Sequence, residues 1–200
     1  NTALTTLWCQ SNSLTSLDVS NNTALDFLYC NDNQLTSLDV SNILGLHHLE
    51  LDSNQFTSID VSNNTELITL YCASNALTSL DVSGNTSLRY LRLSHNQLTT
   101  LDLSSNIELH DLTIGNNQLT YLNMRNGVTG QLYNFDATGN SGLTCIETLD
   151  PDYATANWSN IDAGVTFADI CYASNPSYTN VPDDNFEQAL IDLGYDDTLD

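Results

Sequence analysis

An asparagine returns at a fixed interval through most of this chain. Asn12, Asn33, Asn54, Asn75, Asn96 and Asn117 stand 21 residues apart, and Asn140 follows after 23, with Asn126-Gly127 placed to take up the two extra residues. A period of that length restricts the chain to architectures in which one short unit stacks on the next. The apolar spacing around each Asn is also constant, as in Leu25-x-x-Leu28-x-Cys30-x-x-Asn33-x-Leu35. The other half of each unit reads L-T-S-L-D-V-S-N-N-T, as from Leu14 to Thr23 and from Leu77 to Thr86.

The alternation in Phe27-Leu28-Tyr29-Cys30-Asn31 sends Leu28 and Cys30 inward and Phe27, Tyr29 and Asn31 outward. One unit cannot bury that face alone, so successive units must share a continuous core. The Asn that follows each strand carries an amide able to satisfy backbone groups at a sharp turn. Leu17-Asp18-Val19 alternates too, which predicts a second short strand on the opposite side of every unit. A unit this short has no room for a long helix.

These motifs resemble the leucine-rich repeat family, and within it the short bacterial repeats of surface and secreted Bacteroidota proteins. The likeness covers about residues 1–143 in seven repeats, the first truncated. It implies a β-rich solenoid: a leucine-rich repeat coil with a parallel β-sheet on its concave face, few or no long helices and a disulfide-bonded C-terminal cap. It further implies a non-catalytic extracellular binding module, part of a larger bacterial surface adhesin or secreted protein exported by the type IX route. A structural spacer, or an accessory region of a secreted enzyme with its chemistry elsewhere, are the alternatives.

The periodicity ends near Leu143, and residues 144–172 suit a cap over the last rung, with Ile146, Trp158, Phe167 and Ile170 to cover the core. Cys9, Cys30 and Cys72 share one inward column, where Leu51, Leu93 and Ile114 stand in other rungs, and are expected to be free, buried thiols. Cys145 and Cys171 lie outside that column and form a natural pair, which implies an oxidising compartment. Residues 173–180 are a linker by composition. Residues 181–200 carry a helical pattern, and V-P-D-D-N-F-E-Q-A-L-I-D-L-G-Y-D-D resembles the helical start of a further repeat array.

Charge narrows the partners. Three Lys+Arg against 25 Asp+Glu leave a net charge of −22, which argues against nucleic acid and anionic membrane surfaces. No apolar run approaches the ~20 residues of a membrane span, so no membrane insertion is expected. No nucleophile, base and orienting group share a recognisable motif, so no catalytic residues are assigned. Asp18, Asp39, Asp60, Asp81 and Asp102 recur every 21 residues. Each either accepts hydrogen bonds from the Ser-Asn-Asn turn that follows it or joins a row of calcium ligands. His48, Glu50 and Asp52 alternate on one strand, where i and i+2 lie ~6.7 Å apart, too far for all three to chelate one ion.

The outward strand positions vary from rung to rung, whereas the columns outside the strands are nearly invariant Thr, Ser, Asp and Asn. Trp8, Phe27, Tyr29, His48, Glu50, Tyr71, Tyr90 and Arg92 are therefore the expected contact residues for a protein or polysaccharide ligand. Aromatic side chains suit such a surface because they offer large contact area with few rotors to freeze. Arg92 is placed to stack on Tyr71 or Tyr90 and to pair with an acidic ligand group.

Overall fold

The computed structural model describes residues 1–171. The expected linker at 173–180 and helix within 181–200 lie outside those residues, as does the last residue of the 144–172 segment. In chain order the elements are β1 (Thr6–Trp8), β2 (Phe27–Tyr29), β3 (His48–Glu50), β4 (Thr69–Tyr71), β5 (Tyr90–Arg92), β6 (Thr100–Asp102), β7 (Asp111–Thr113), β8 (Tyr121–Met124), β9 (Asn134–Asp136), β10 (Cys145–Thr148), α1 (Pro151–Asn157) and β11 (Thr166–Ala168). They wind into a parallel-strand solenoid of about eight turns with one short helix. A long sheet runs β1-β2-β3-β4-β5-β7-β9, and a short one runs β11-β10-β8-β6.

The repeat produces the coil because every rung buries the same positions. Leu28, Leu49, Leu70, Leu91 and Leu112, the central strand residues, are fully buried. Cys30, Leu51, Cys72, Leu93 and Ile114 pack beside them, and Val19, Val40, Val61, Val82 and Leu103 close the core from the opposite side. Burying each such side chain contributes about 2 kcal/mol, and only a stacked neighbour makes that burial complete.

The ladder asparagines bind rung to rung. Asn33 donates from Nδ2 to the carbonyls of Cys30 in its own rung and Cys9 in the one before, and its Oδ1 accepts from Leu14 N–H at 3.0 Å. Asn54, Asn75, Asn96, Asn117 and Asn140 repeat the pattern. The preceding residues Ser11, Asp32, Ser53, Ser74, His95 and Asn116 all take positive φ, between 54° and 59°. That left-handed conformation makes the corner sharp enough for the amide to reach both rungs. A second row, Asn64, Asn85 and Asn106, is fully buried and donates to carbonyls of the preceding rung at the far corner.

Two expectations need correction. The second strand does not form in every rung: it begins only at β6. Thr100 and Tyr121, better strand formers, replace Ser16, Ser37, Ser58 and Ser79 there, and β10 and β11 extend the ladder beyond β8. Cys9 is a free thiol like Cys30 and Cys72, but it is only half-buried, whereas those two are buried. Burial pushes the Cys30 thiol up to about 12, keeping it protonated and inert.

The segment after Leu143 closes the coil. Trp158 is buried against Phe135 of the last rung at 4.3 Å and meets Phe167 edge-on. Ile146 is fully buried, whereas Ile170 is only half-buried. Asp150 caps α1 by accepting from Tyr153 N–H, with Pro151 in the first turn. Cys145 and Cys171 are disulfide-bonded. The buried Glu147 carboxylate accepts from Cys171 N–H and from the Tyr121 hydroxyl, tying the disulfide to the short sheet.

Candidate functional site

Each strand of the long sheet flanks its inward central residue, buried in all but β1, with two outward side chains, and the one-to-one register aligns these in two columns. One runs Trp8, Tyr29, Glu50, Tyr71, Arg92, Thr113, Asp136; the other runs Thr6, Phe27, His48, Thr69, Tyr90, Asp111, Asn134. All eight expected contact residues therefore share one face. Trp8 is 65% exposed and the other seven are half-buried, whereas Thr69 and Asp111 are buried between their neighbours.

The spacing between parallel strands, ~4.8 Å, is also a stacking distance for rings. Trp8 and Tyr29 lie 4.4 Å apart with a 30° tilt, and Phe27 lies 4.6 Å from His48 and 6.4 Å from Tyr29. The first three rungs thus carry a continuous surface of rings. Burial holds His48 below the ordinary histidine value.

The next rungs are polar. The Arg92 guanidinium sits 4.3 Å over the Tyr71 ring, with one nitrogen 3.8 Å from the Asp111 carboxylate. Asp111 also accepts from Asn134 Nδ2 at 3.2 Å. Arg92 thus stacks on Tyr71, as expected, but its charge is already matched within the protein, and an acidic ligand group would have to compete with Asp111. Burial, and then the Asp52 charge, push the Glu50 carboxyl up, and Arg92 partly opposes them. Asp52 is pushed up by burial although its Oδ1 accepts from Ala73 N–H at 2.6 Å.

A third column, just before each strand, escaped the sequence patterns: Thr5, Asp26, His47, Ile68, Arg89, His110, Tyr133. Tyr133 is 67% exposed and extends the face past Arg92. The sequence signal was available, a lone aromatic at that register position. Asp26 and His47 pair at 2.7 Å, and the other His47 nitrogen faces Glu66 at 3.5 Å, so this imidazole bridges two carboxylates instead of activating a nucleophile.

The aspartate row does something different. Asp18, Asp39, Asp60, Asp81 and Asp102 each accept the N–H of the serine two residues on, at 2.9–3.0 Å. Asn123 does the same for Arg125. Those serine bonds hold Asp18, Asp39, Asp60 and Asp81 below the usual carboxylate range. Among the described residues no group of three or more His, Cys, Asp and Glu converges on a metal-sized site, and no helix is long and apolar enough to cross a membrane.

A leucine-rich repeat family model matches residues 10–26 and 84–100. No curated protein matches the sequence. Among solved structures, the chain is similar to the functional domain of InlJ from Listeria monocytogenes, which includes a cysteine ladder: 39% identity over 74% of this chain and 35% of that one, TM-score 0.67. It is also similar to a leucine-rich repeat protein of Leptospira interrogans, with 26% identity over 69% of this chain and 40% of that one, TM-score 0.59. Internalin C2 from L. monocytogenes shares the fold at 20% identity over 84% of this chain and 82% of its own, TM-score 0.55. The chain spans 35% and 40% of the first two relatives. Matched repeats, parallel coil and neighbours together support a leucine-rich repeat family for this chain.

Proposed function

We propose that this chain is a protein-binding module of an extracellular bacterial surface or secreted protein, and that the outer face of the long sheet from Trp8 to Arg92 is its contact surface. The observation that carries the proposal is the run of stacked rings on an uncovered sheet face, Trp8 against Tyr29 and Phe27 against His48. Folding needs the leucines beneath them, not the rings above. Tyrosine, tryptophan and arginine are the residues that concentrate binding energy at protein interfaces. The Cys145–Cys171 disulfide supports an oxidising compartment. A bacterial adhesin of Bacteroidota type, exported by the type IX machinery, rests on the repeat signature alone. A polysaccharide remains the second class of ligand, since pyranose faces also stack on exposed rings.

Arrays of bacterial and host surface proteins and of glycans, probed with the chain, test this reading. Replacing Tyr29, Tyr71 and Tyr90 together by Ser should leave the melting temperature within a few degrees and abolish the captured interaction. Retained attachment by the triple variant would favour a spacer.

A further inference from the structure

We propose that the corner formed by Trp8, Tyr29 and Glu50 is a seat for a cationic side chain, an arginine or lysine presented by a basic polypeptide partner. The inference rests on the sheet face being the contact surface, and it names the chemistry of what binds there.

The face already contains one such arrangement, filled from within. Tyr71 on β4, Arg92 on β5 and Asp111 on β7 place a ring, a guanidinium and a carboxylate on successive strands, with 4.3 Å from ring to cation and 3.8 Å from cation to carboxylate. Toward the N terminus a ring and a carboxylate again share the face, here on adjacent strands and with no cation of the chain seated on them. Tyr29 on β2 is widened by Trp8 at 4.4 Å, and Glu50 follows Tyr29 in the same column on β3. Among the described residues the Glu50 side chain has no hydrogen bond or ion pair, and Arg92, which reaches it only through its field, is seated on Tyr71 beside Asp111.

The neighbouring elements do not supply the missing charge. His48, next to Glu50's column, is stacked on Phe27, where burial disfavours its charged form, and His47 is held between Asp26 and Glu66. The Tyr29 phenol lies in the combined field of Glu50 and Asp26. Tryptophan is the strongest of the aromatic rings for a cation, and Trp8 is the most exposed of the eight contact residues. At long range the −22 net charge draws a polycation in and repels an anionic ligand. A neutral sugar would use the rings but gains nothing from the net charge.

The probe is a capped peptide of four arginines alternating with glycines, titrated calorimetrically into the chain at low salt. Cellohexaose is titrated in parallel, and the indole N–H resonances of Trp8 and Trp158 are followed by NMR. The peptide should shift Trp8 and spare the buried Trp158. Glu50→Gln, which keeps the shape, and Trp8→Ala should each weaken the peptide about tenfold. Asp60→Asn, which changes the net charge equally on the turn side, should alter affinity by less than about twofold because that charge is distant and screened. Melting curves should show all three variants folded at the titration temperature, with Asp60→Asn no more stable than the parent and Glu50→Gln no less. Equal weakening by Glu50→Gln and Asp60→Asn, no effect of Glu50→Gln, or no peptide binding at all would each overturn the seat. Cellohexaose binding that Trp8→Ala abolishes and Glu50→Gln leaves intact would overturn the cation while leaving the face reading standing. Failure of the triple tyrosine variant to lose its captured partner would strike that reading instead.

Discussion

The two outer surfaces of this coil come from the same repeat and have opposite character. On the turn side, Asp, Ser and Asn return in almost every rung, whereas on the long sheet the outward residues change from Trp8 to Tyr29 to Glu50 to Tyr71 to Arg92. The hydrogen bonds explain the uniformity. Asp18, Asp39, Asp60, Asp81 and Asp102 each satisfy a backbone N–H of their own turn, and each ladder Asn satisfies groups in two rungs. Those positions answer to the backbone and cannot vary freely. Sheet positions have their backbone satisfied by neighbouring strands, so their outward side chains are free to be chosen for a partner. Uniformity therefore marks what the fold requires, and variation marks what it leaves open.

The comparison breaks most sharply at a ladder residue. Asn96→Ala leaves the N–H of Leu77 without its acceptor and removes one of two amide donors from each of the carbonyls of Cys72 and Leu93, which keep Asn75 and Asn117. Urea unfolding should register a loss of roughly 4 kcal/mol, since the unsatisfied buried N–H costs about 1–3 kcal/mol and each of the two lost amide bonds about 1 kcal/mol. Tyr90→Ser, on the varied face, should cost under about 1 kcal/mol, the span of strand preference. A loss as large as that of Asn96→Ala would show that the face, too, is needed to fold.

Acid titration separates the two surfaces by sign. The turn carboxyls sit below the ordinary range because serine bonds favour their charged form. Their stabilisation is present above the unfolded value of about 3.9 and is lost as pH falls through their lower native values. Glu50 and Asp52 sit above the range because they are buried, so they oppose folding at neutral pH and cease to do so as pH falls through their raised native values. Carboxyl carbon NMR should find Glu50 and Asp52 protonating first and the turn aspartates last. The smallest effect belongs to calcium. With the turn carboxylates already accepting backbone bonds, millimolar calcium should leave the melting temperature unchanged, and an upward shift would restore the cation row.

The coil, the two columns and the cystine were legible in the sequence because a fixed period turns position into register. Tyr29 and Glu50 are neighbours because 21 residues separate them. What escaped was set by side-chain reach at positions that do not repeat: Asp26 pairing with His47 and Tyr121 donating to Glu147. The late start of the short sheet escaped for a related reason. It depends on Thr100 and Tyr121 replacing serine and on strands contributed by the segment beyond the last repeat.

The most direct test of the claim that variation marks recognition is a paired substitution scan of the displayed chain, scoring folded yield and partner capture separately at every outward position. Substitutions in the Asp, Ser and ladder Asn columns should lower folded yield, with capture falling only in proportion. Substitutions at Trp8, Phe27, Tyr29, His48, Glu50, Tyr71, Tyr90 and Arg92 should keep folded yield and lose capture. Sheet-face positions that tolerate every substitution in both readouts, or that lose yield as the turn columns do, would contradict it.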